Sequence, residues 1–165
     1  MSNTFTIEHI TPETWKKASS DPNRLADFLH EHLDRFRDAR EEIMSCIQYA
    51  LGIQEHRSGF ILAAYEGGNG DVVEAGSGNA TGGNLLGVTV VCETGMSGYI
   101  PENLVVYIAV DASTRGRGIG KTLMEKAIEM ADGDLALHVE PDNPAKRLYS
   151  RIGFTNKYLE MRFKK

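Results

Sequence analysis

The hydrophobic and polar positions of the chain follow two periods, and each period predicts a different kind of element. Residues 4–10 alternate and include β-branched and aromatic side chains, which predicts a first strand. Across residues 22–51 apolar side chains recur every three or four positions, the period of a helix. Charged side chains crowd residues 34–40, so the sequence predicts two helices separated there, with Gly52 as the stop signal of the second.

Strand patterns return after the second predicted helix. Residues 59–66, 85–94 and 104–110 are short apolar runs, and the last is so uniformly apolar that we expect it in the centre of a sheet. The glycine-rich segment at residues 67–84 predicts a mobile connection, with a short hairpin at Val72 and Val73.

The last third of the chain alternates between the two periods. A helix ending at Gly133 is followed by a strand at residues 135–140 and by a helix that starts near Asp142 or Asn143. A final strand is predicted at residues 157–163. The order β-α-α-β-β-β-α-β-α-β predicts an α/β (α+β) fold in which helices cover a mixed sheet.

Composition excludes several classes of protein. The length of 165 residues fits a single domain over residues 1–165, and no apolar run is long enough for a membrane helix. We expect a cytoplasmic protein, since the first residues do not resemble a secretory signal. The net charge of -5 argues against a nucleic-acid partner. The two cysteines lack metal-binding or disulfide spacing, and Cys92 is expected to be a buried strand residue.

The sequence STRGRGIGKTLM, residues 113–124, resembles three nucleotide-binding patterns. The P-loop pattern needs a glycine where Arg115 stands, and the dinucleotide pattern needs one where Lys121 or Leu123 stands. The pattern [QR]-x-x-G-x-[GA] fits residues 115–120 at every position. Glycines before a helix allow a pyrophosphate to approach amides at the positive end of the helix dipole.

This motif, together with LHVEPDNPAKRLYSRIGF at residues 137–154, resembles the GNAT superfamily of acyl-CoA-dependent N-acetyltransferases. The resemblance is close over residues 85–163, whereas only the order of elements agrees over residues 1–65. It implies a central, mixed, mostly antiparallel sheet of 6–7 strands flanked by about four helices. It also implies transfer of an acetyl group from acetyl-CoA to a primary amine by direct attack in a ternary complex, without a metal.

The resemblance implies where the coenzyme binds. The strands at residues 104–110 and 135–140 would splay around the pantetheine arm, and the amides of residues 117–122 would meet the pyrophosphate, with Arg115 and Arg117 adding charge. An oxyanion contact is implied at a backbone amide near Val110. The implied coenzyme-binding residues are Ile108, Ala109, Val110, Arg115, Gly116, Arg117, Gly118, Ile119, Gly120, Lys121, Thr122, Asn143, Lys146 and Tyr149.

Tyr149 matches the family tyrosine that protonates the departing thiolate, so we predict that it is the general acid. Asn143 resembles the family asparagine that contacts pantetheine, but it stands six residues before Tyr149. The commoner spacing of seven would select Asp142 instead. A helix N-cap is the alternative role for either residue.

The general base is left open by the sequence. Many family members have a glutamate at the position of Leu104, which cannot accept a proton. His138 is the first candidate because it belongs to the strand beside the coenzyme, and Glu93 and Glu102 follow. A strand histidine without a catalytic role is the alternative for His138, and a water relay could replace a single base.

The acceptor is also open: a small amine or a protein amine fits, in a monomer or a homodimer. The segment at residues 30–42 is expected to be a solvated charged face, although carboxylates such as Asp34 and Glu41 could attract a cationic amine. Two other functions would also use the loop at residues 113–124. One is a noncatalytic acyl-CoA sensor with the same fold, and the other is a nucleotide-binding module.

Overall fold

The computed structural model describes residues 4–78 and 83–165. Helices and strands follow one another as β-α-α-β-β-β-β-α-β-α. The strands in these ranges are β1 (Phe5–Ile10), β2 (Gly59–Glu66), β3 (Val72–Glu74), β4 (Leu85–Glu93), β5 (Asn103–Val110) and β6 (Leu135–Leu137). The α-helices are α1 (Pro22–His32), α2 (Arg40–Ala50), α3 (Ile119–Met130) and α4 (Lys146–Ile152).

The strands form one sheet in the order β3-β1-β2-β4-β5-β6. The inner pairs are antiparallel, whereas the edge strands β3 and β6 run parallel to β1 and β5. The central strands β2 and β4 are buried along almost their whole length, since helices cover both of their faces. The prediction of a mixed, mostly antiparallel sheet is confirmed.

Alternate side chains of the strands enter two apolar clusters on opposite faces of the sheet. Along β2, Ile61 and Ala63 pack with α1 and α2, whereas Leu62 and Ala64 pack with α3 and α4. We call these surfaces the α1–α2 face and the α3–α4 face. Because a helix pair fills each face, a ligand site is expected where strands part or end.

The break between α1 and α2 lies where the charge pattern predicts it. Asp21 caps α1 by accepting a hydrogen bond from the Arg24 amide at 2.8 Å, and Pro22 is the first helical residue. After α1 a short 3₁₀ turn covers Asp34–Phe36, with Asp34 at a φ of 54°. Gly52 follows α2 with a φ of 64°, which confirms it as the stop signal.

Val72 and Val73 lie in a strand, but the predicted hairpin is wrong. β3 pairs parallel with β1, with Ile7 opposite Val72, because the chain crosses the end of β1 and adds to its free edge. Residues 79–82 of the predicted mobile connection lie outside the described residues.

The last predicted strand and helix begin or end differently from the prediction. β6 stops at Leu137, three residues early, and α4 starts at Lys146 rather than near Asp142 or Asn143. The residue before a proline is disfavoured in a helix, and Asn143 precedes Pro144. The Asn143 side chain accepts a hydrogen bond from the Ala145 amide at 3.0 Å, which forms a turn ahead of the helix instead of an N-cap.

The strand predicted at residues 157–163 is wrong. This segment has no strand pairing, and its alternating apolar side chains Leu159, Met161 and Phe163 are 86–93% exposed. The free edge next to this end of the sheet belongs to β6, which has only three residues, and no further strand of the described residues is added to it. Alternation of apolar and polar side chains does not by itself supply a pairing partner.

Thr89 is a buried polar residue in the centre of β4. It is fully buried between Leu62 of β2 and Ile108 of β5, and its hydroxyl has no hydrogen-bond partner in the described part of the chain. We therefore expect Thr89→Val to raise the free energy of unfolding by about 1 kcal/mol, since valine keeps the shape and removes the unpaired group. Denaturant titration measures this. Thr89→Ser keeps the hydroxyl and loses a methyl, so it should lower stability by about 1 kcal/mol; a stabilising Ser variant would contradict the argument.

Candidate active site

The loop between β5 and α3 is fixed by its own hydrogen bonds. Asp111 accepts from the Ser113 hydroxyl at 2.6 Å and from the Ser113 amide at 2.8 Å, which forms a 3₁₀ turn over Ala112–Thr114. The Ser113 hydroxyl, followed by the amide, holds the pKa of Asp111 below its usual value. This turn leads the chain from the end of β5 into residues 115–120, which carry the predicted anion-binding motif.

Two glycines give the loop its shape. Gly116 and Gly118 have φ values of 85° and 78°, and no atom would contact a Cβ at either position. Glycine is therefore needed here for its backbone conformation. Gly120 has another role, because its Cβ would lie 3.4 Å from Val110 and 3.7 Å from Leu148, where α3 approaches both β5 and α4.

The N-terminus of α3 has no side-chain cap. Thr122 is the first residue whose amide bonds back along the helix, to Gly118 at 3.0 Å. The amides of Ile119, Gly120 and Lys121 therefore have no acceptor within the helix. Three such donors at the positive end of a 12-residue helix can bind an anion.

β5 and β6 part beside this helix end. Their pairing covers only Asn103–Val105 against Leu135–Leu137, so β5 continues for five residues without that neighbour. The Asp111 amide donates to Leu86 of β4. Since neighbouring residues of a strand direct their amides to opposite sides, those of Val110 and Ile108 face the gap, whereas that of Ala109 faces β4.

A β-bulge lies at the point where β5 and β6 part. Val90 of β4 is opposite Tyr107, but Val91 is opposite Val105, so Val106 is the additional residue. Val105 packs on the α3–α4 face, and both Val106 and Tyr107 pack on the α1–α2 face. The bulge therefore turns two consecutive side chains toward α1 and α2.

A cavity of about 300 Å³ reaches the bulge from the α1–α2 face. Its lining residues are Ser45, Cys46, Tyr49, Cys92, Glu93, Thr94, Leu104 and Val106. Burial raises the pKa of Cys92 to about 12, so this thiol is not a nucleophile at neutral pH. The expectation that Cys92 is a buried strand residue is confirmed. Another cavity, of about 440 Å³, lies between β3 and α3 and contains no predicted site residue.

Tyr149 lies on the α3–α4 face, and 8% of its surface is exposed. Its ring packs edge-on against Phe154 at 6.1 Å, and its hydroxyl has no hydrogen bond among the described residues. Burial raises the pKa of Tyr149 to about 12. The hydroxyl is therefore protonated at neutral pH, as a proton donor must be.

The Acetyltransferase (GNAT) family model matches residues 15–154. The chain belongs to this family. The predicted family, the fold and the acetyltransferase class are thus confirmed, and membership of the GNAT family implies acetyl-CoA and an acceptor as substrates. Comparison with curated protein sequences finds no match.

Solved structures support the GNAT fold. An integron cassette protein from the mobile metagenome of V. cholerae is 19% identical, with a TM-score of 0.61, covering 100% of this chain and 94% of its own. An aminoglycoside acetyltransferase from an uncultured soil metagenomic sample is 17% identical, with a TM-score of 0.59 and 98% of both chains covered. Ribosomal-protein-alanine N-acetyltransferase from Brucella melitensis biovar Abortus 2308 is 19% identical, with a TM-score of 0.54, covering 96% of this chain and 98% of its own.

The predicted basic residues of the GNAT loop have different surroundings. Arg115 bonds Asp34 at 2.8 Å and the His32 carbonyl at 3.1 Å, so its guanidinium joins the loop to the end of α1. Lys121 is exposed and lies 3.7 Å from Glu125, and Arg117 is half-buried in the loop. The ion pair between Arg115 and Asp34 could not be predicted from the sequence, because the two residues are 81 positions apart.

Two predicted residues precede or begin α4. Asn143 is half-buried, and its carbonyl oxygen is used within the turn, by the Ala145 amide. Lys146 is exposed at the first position of α4. Asp142 forms an ion pair with Arg35 at 3.0 Å, so its carboxylate is already paired.

The candidates for the general base of a GNAT enzyme do not come together. His138 is exposed beyond the end of β6, and Glu93 is exposed at the far end of β4, opposite Asn103. Glu102 accepts from the Asp134 amide at 2.8 Å, and this bond, first among several, lowers the pKa of its carboxyl. Glu102 therefore holds the turn before β6 and is a weak base.

The described part of the chain contains neither a cluster of metal ligands nor a membrane-spanning helix. Residues 4–78 and 83–165 bring together no group of three or more histidine, cysteine, aspartate or glutamate side chains suited to a metal ion. Within the same ranges, every helix is too short or too polar to span a bilayer.

Proposed function

We propose that this GNAT protein transfers an acetyl group from acetyl-CoA to a primary amine by direct attack in a ternary complex. One observation carries the proposal: the uncapped N-terminus of α3 adjoins the gap between β5 and β6. An anion site and an open strand edge thus lie end to end, which suits a long ligand with a pyrophosphate at one end.

The residues present fit coenzyme A. The amides of Ile119, Gly120 and Lys121 would bind the pyrophosphate, with positive charge from Arg117 and Lys121. The backbone of Ile108 and the carbonyl of Val110 would hydrogen-bond the pantetheine arm along the gap, which leaves the Val110 amide for the thioester. Acetyl-CoA supplies the acetyl group as a thioester. Arg115, held by Asp34, would position the loop rather than contact phosphate.

Tyr149 would supply the proton that the departing thiolate needs. A phenol is a weak acid at neutral pH, but a thiolate of ordinary basicity can share its proton in the transition state. Val110 directs its amide into the gap and would polarise the reacting carbonyl, as in other oxyanion sites. Asn143 and Lys146 would contact the coenzyme arm from the start of α4.

A thiol-release assay with acetyl-CoA tests the proposal, run beside calorimetric titration of CoA. The amine panel includes aminoglycosides and a peptide beginning with alanine, because two structural relatives are named for such substrates. It also contains polyamines, amino acids and simple alkylamines. We expect micromolar CoA binding and amine-dependent thiol release. CoA binding without thiol release from any amine would favour the acyl-CoA sensor instead.

A further inference from the structure

A buried tyrosine and an aspartate meet beside the bulge. The Tyr107 hydroxyl donates to Asp38 at 2.6 Å and so joins β5 to the connection between α1 and α2. Tyr107 is 8% exposed, and burial, followed by the bond to Asp38, raises its pKa. The tyrosine therefore remains a hydrogen-bond donor that fixes one oxygen of the Asp38 carboxylate.

The other carboxylate oxygen of Asp38 makes no hydrogen bond with the described residues. No lysine or arginine of those residues forms an ion pair with Asp38, although three arginines lie within three positions of it in sequence. Each arginine bonds another group: Arg35 bonds Asp142, Arg37 bonds the His30 carbonyl and Arg40 bonds Asp27. The neighbouring Asp34 is paired with Arg115. Asp38 is exposed, so it presents to solvent a carboxylate that has no cationic partner among the described residues.

This charge adjoins the cavity between α2, β4 and β5. Cys46 lines the cavity, and its pKa is raised by burial and, to a lesser extent, by the nearby Asp38. Val106, also in the lining, directly precedes Tyr107. The cavity walls are mostly apolar, and Glu93 is the one carboxylate among the described residues that line it. An apolar cavity of about 300 Å³ with a carboxylate beside it complements a small amphipathic cation.

We propose that Asp38, oriented by Tyr107, binds the ammonium group of the acceptor while the cavity holds its apolar body. This inference rests on the proposed acetyl transfer and names its substrate class: a primary amine with one positive charge on an apolar chain. A polycation would need several carboxylates in the lining. Tyr107 is a positioning residue, because it acts through Asp38.

The proton balance follows from this placement. The ammonium group first loses one proton to solvent, and the freed nitrogen lone pair forms a bond to the thioester carbonyl carbon. The carbon–sulfur bond breaks, and the sulfur leaves with the proton of Tyr149. The second nitrogen proton passes to solvent, from which Tyr149 is reprotonated.

The test uses n-hexylammonium as the probe and the full chain throughout. We measure the KM and kcat of hexylamine by thiol release, and the Kd of hexylammonium by calorimetry on CoA-saturated protein. We expect Asp38→Asn to raise KM and Kd at least tenfold, Tyr107→Phe to raise both severalfold, and neither to change the Kd of CoA. Glu55→Gln removes an exposed carboxylate outside the cavity lining and serves as the matched control, with unchanged values.

Each outcome separates this inference from the proposed function. The inference would be overturned, and the proposed function kept, if Asp38→Asn had the KM of the wild type. The same holds if the wild type acetylated another amine but did not bind hexylammonium. Preference for spermidine over hexylamine would also overturn it. If hexylammonium bound in a manner that depends on Asp38 but no amine caused thiol release, the binding site would be supported and acetyl transfer refuted.

Discussion

Tyr149→Phe should lower kcat by about 100-fold or more while the Kd of CoA stays within about twofold. General acid catalysis contributes rate factors of this size. The substitution removes only the hydroxyl, which has no hydrogen bond in the described structure, so the ring still packs against Phe154 and the fold should keep its stability. Steady-state kinetics and CoA calorimetry measure the two parameters separately.

Tyr158→Phe is the matched control, because that tyrosine is 59% exposed in the C-terminal segment. It should leave kcat unchanged. The raised pKa of about 12 adds a second check: Tyr149 keeps its proton as the pH rises to about 11, so it should cause no alkaline loss of kcat below that pH. Equal turnover in Tyr149→Phe and the wild type would exclude Tyr149 as the acid.

Gly118→Val is expected to weaken CoA binding by about 100-fold, equivalent to about 2.8 kcal/mol. A β-branched residue is strained at the φ of 78° that Gly118 adopts, and relief of that strain would displace the amides at the start of α3. Calorimetric titration of CoA gives the change in Kd.

Gly78→Val separates this effect from backbone strain in general. Gly78 has a φ of 81° and open surroundings, like Gly118, but belongs to the glycine-rich connection after β3. Both variants should lose similar stability in denaturant, while only Gly118→Val loses CoA affinity. If both bind CoA as the wild type does, the loop is not the phosphate site.

Much of the fold could be predicted because its signals are local. β2 matches the predicted residues 59–66, and β4 and β5 differ by one residue at one end, since turn residues bound apolar runs of strand length. The glycine-rich loop before α3 could also be predicted, because its glycines and the helix that follows are consecutive in the chain. Local pattern therefore sufficed wherever the determining residues were neighbours.

The missed features depend on pairing between distant residues. The bulge at Val106 leaves the apolar run of β5 unchanged, and only the register against β4 shows it. Tyr107 and Asp38 are 69 positions apart, so no spacing pattern could join them. The strand expected at residues 157–163 failed for a related reason, because a strand pattern does not reveal whether a partner edge exists.

The parting of β5 from β6 has a thermodynamic consequence. In the unpaired part of β5, the amides of Ile108 and Val110 point toward a neighbour that the described polypeptide does not provide. With coenzyme A bound as proposed, the pantetheine arm would complete this ladder as a non-peptide strand. The free energy of coenzyme binding would then also stabilise the folded C-terminal part of the chain. The cooperativity of unfolding of that part would therefore depend on the coenzyme concentration.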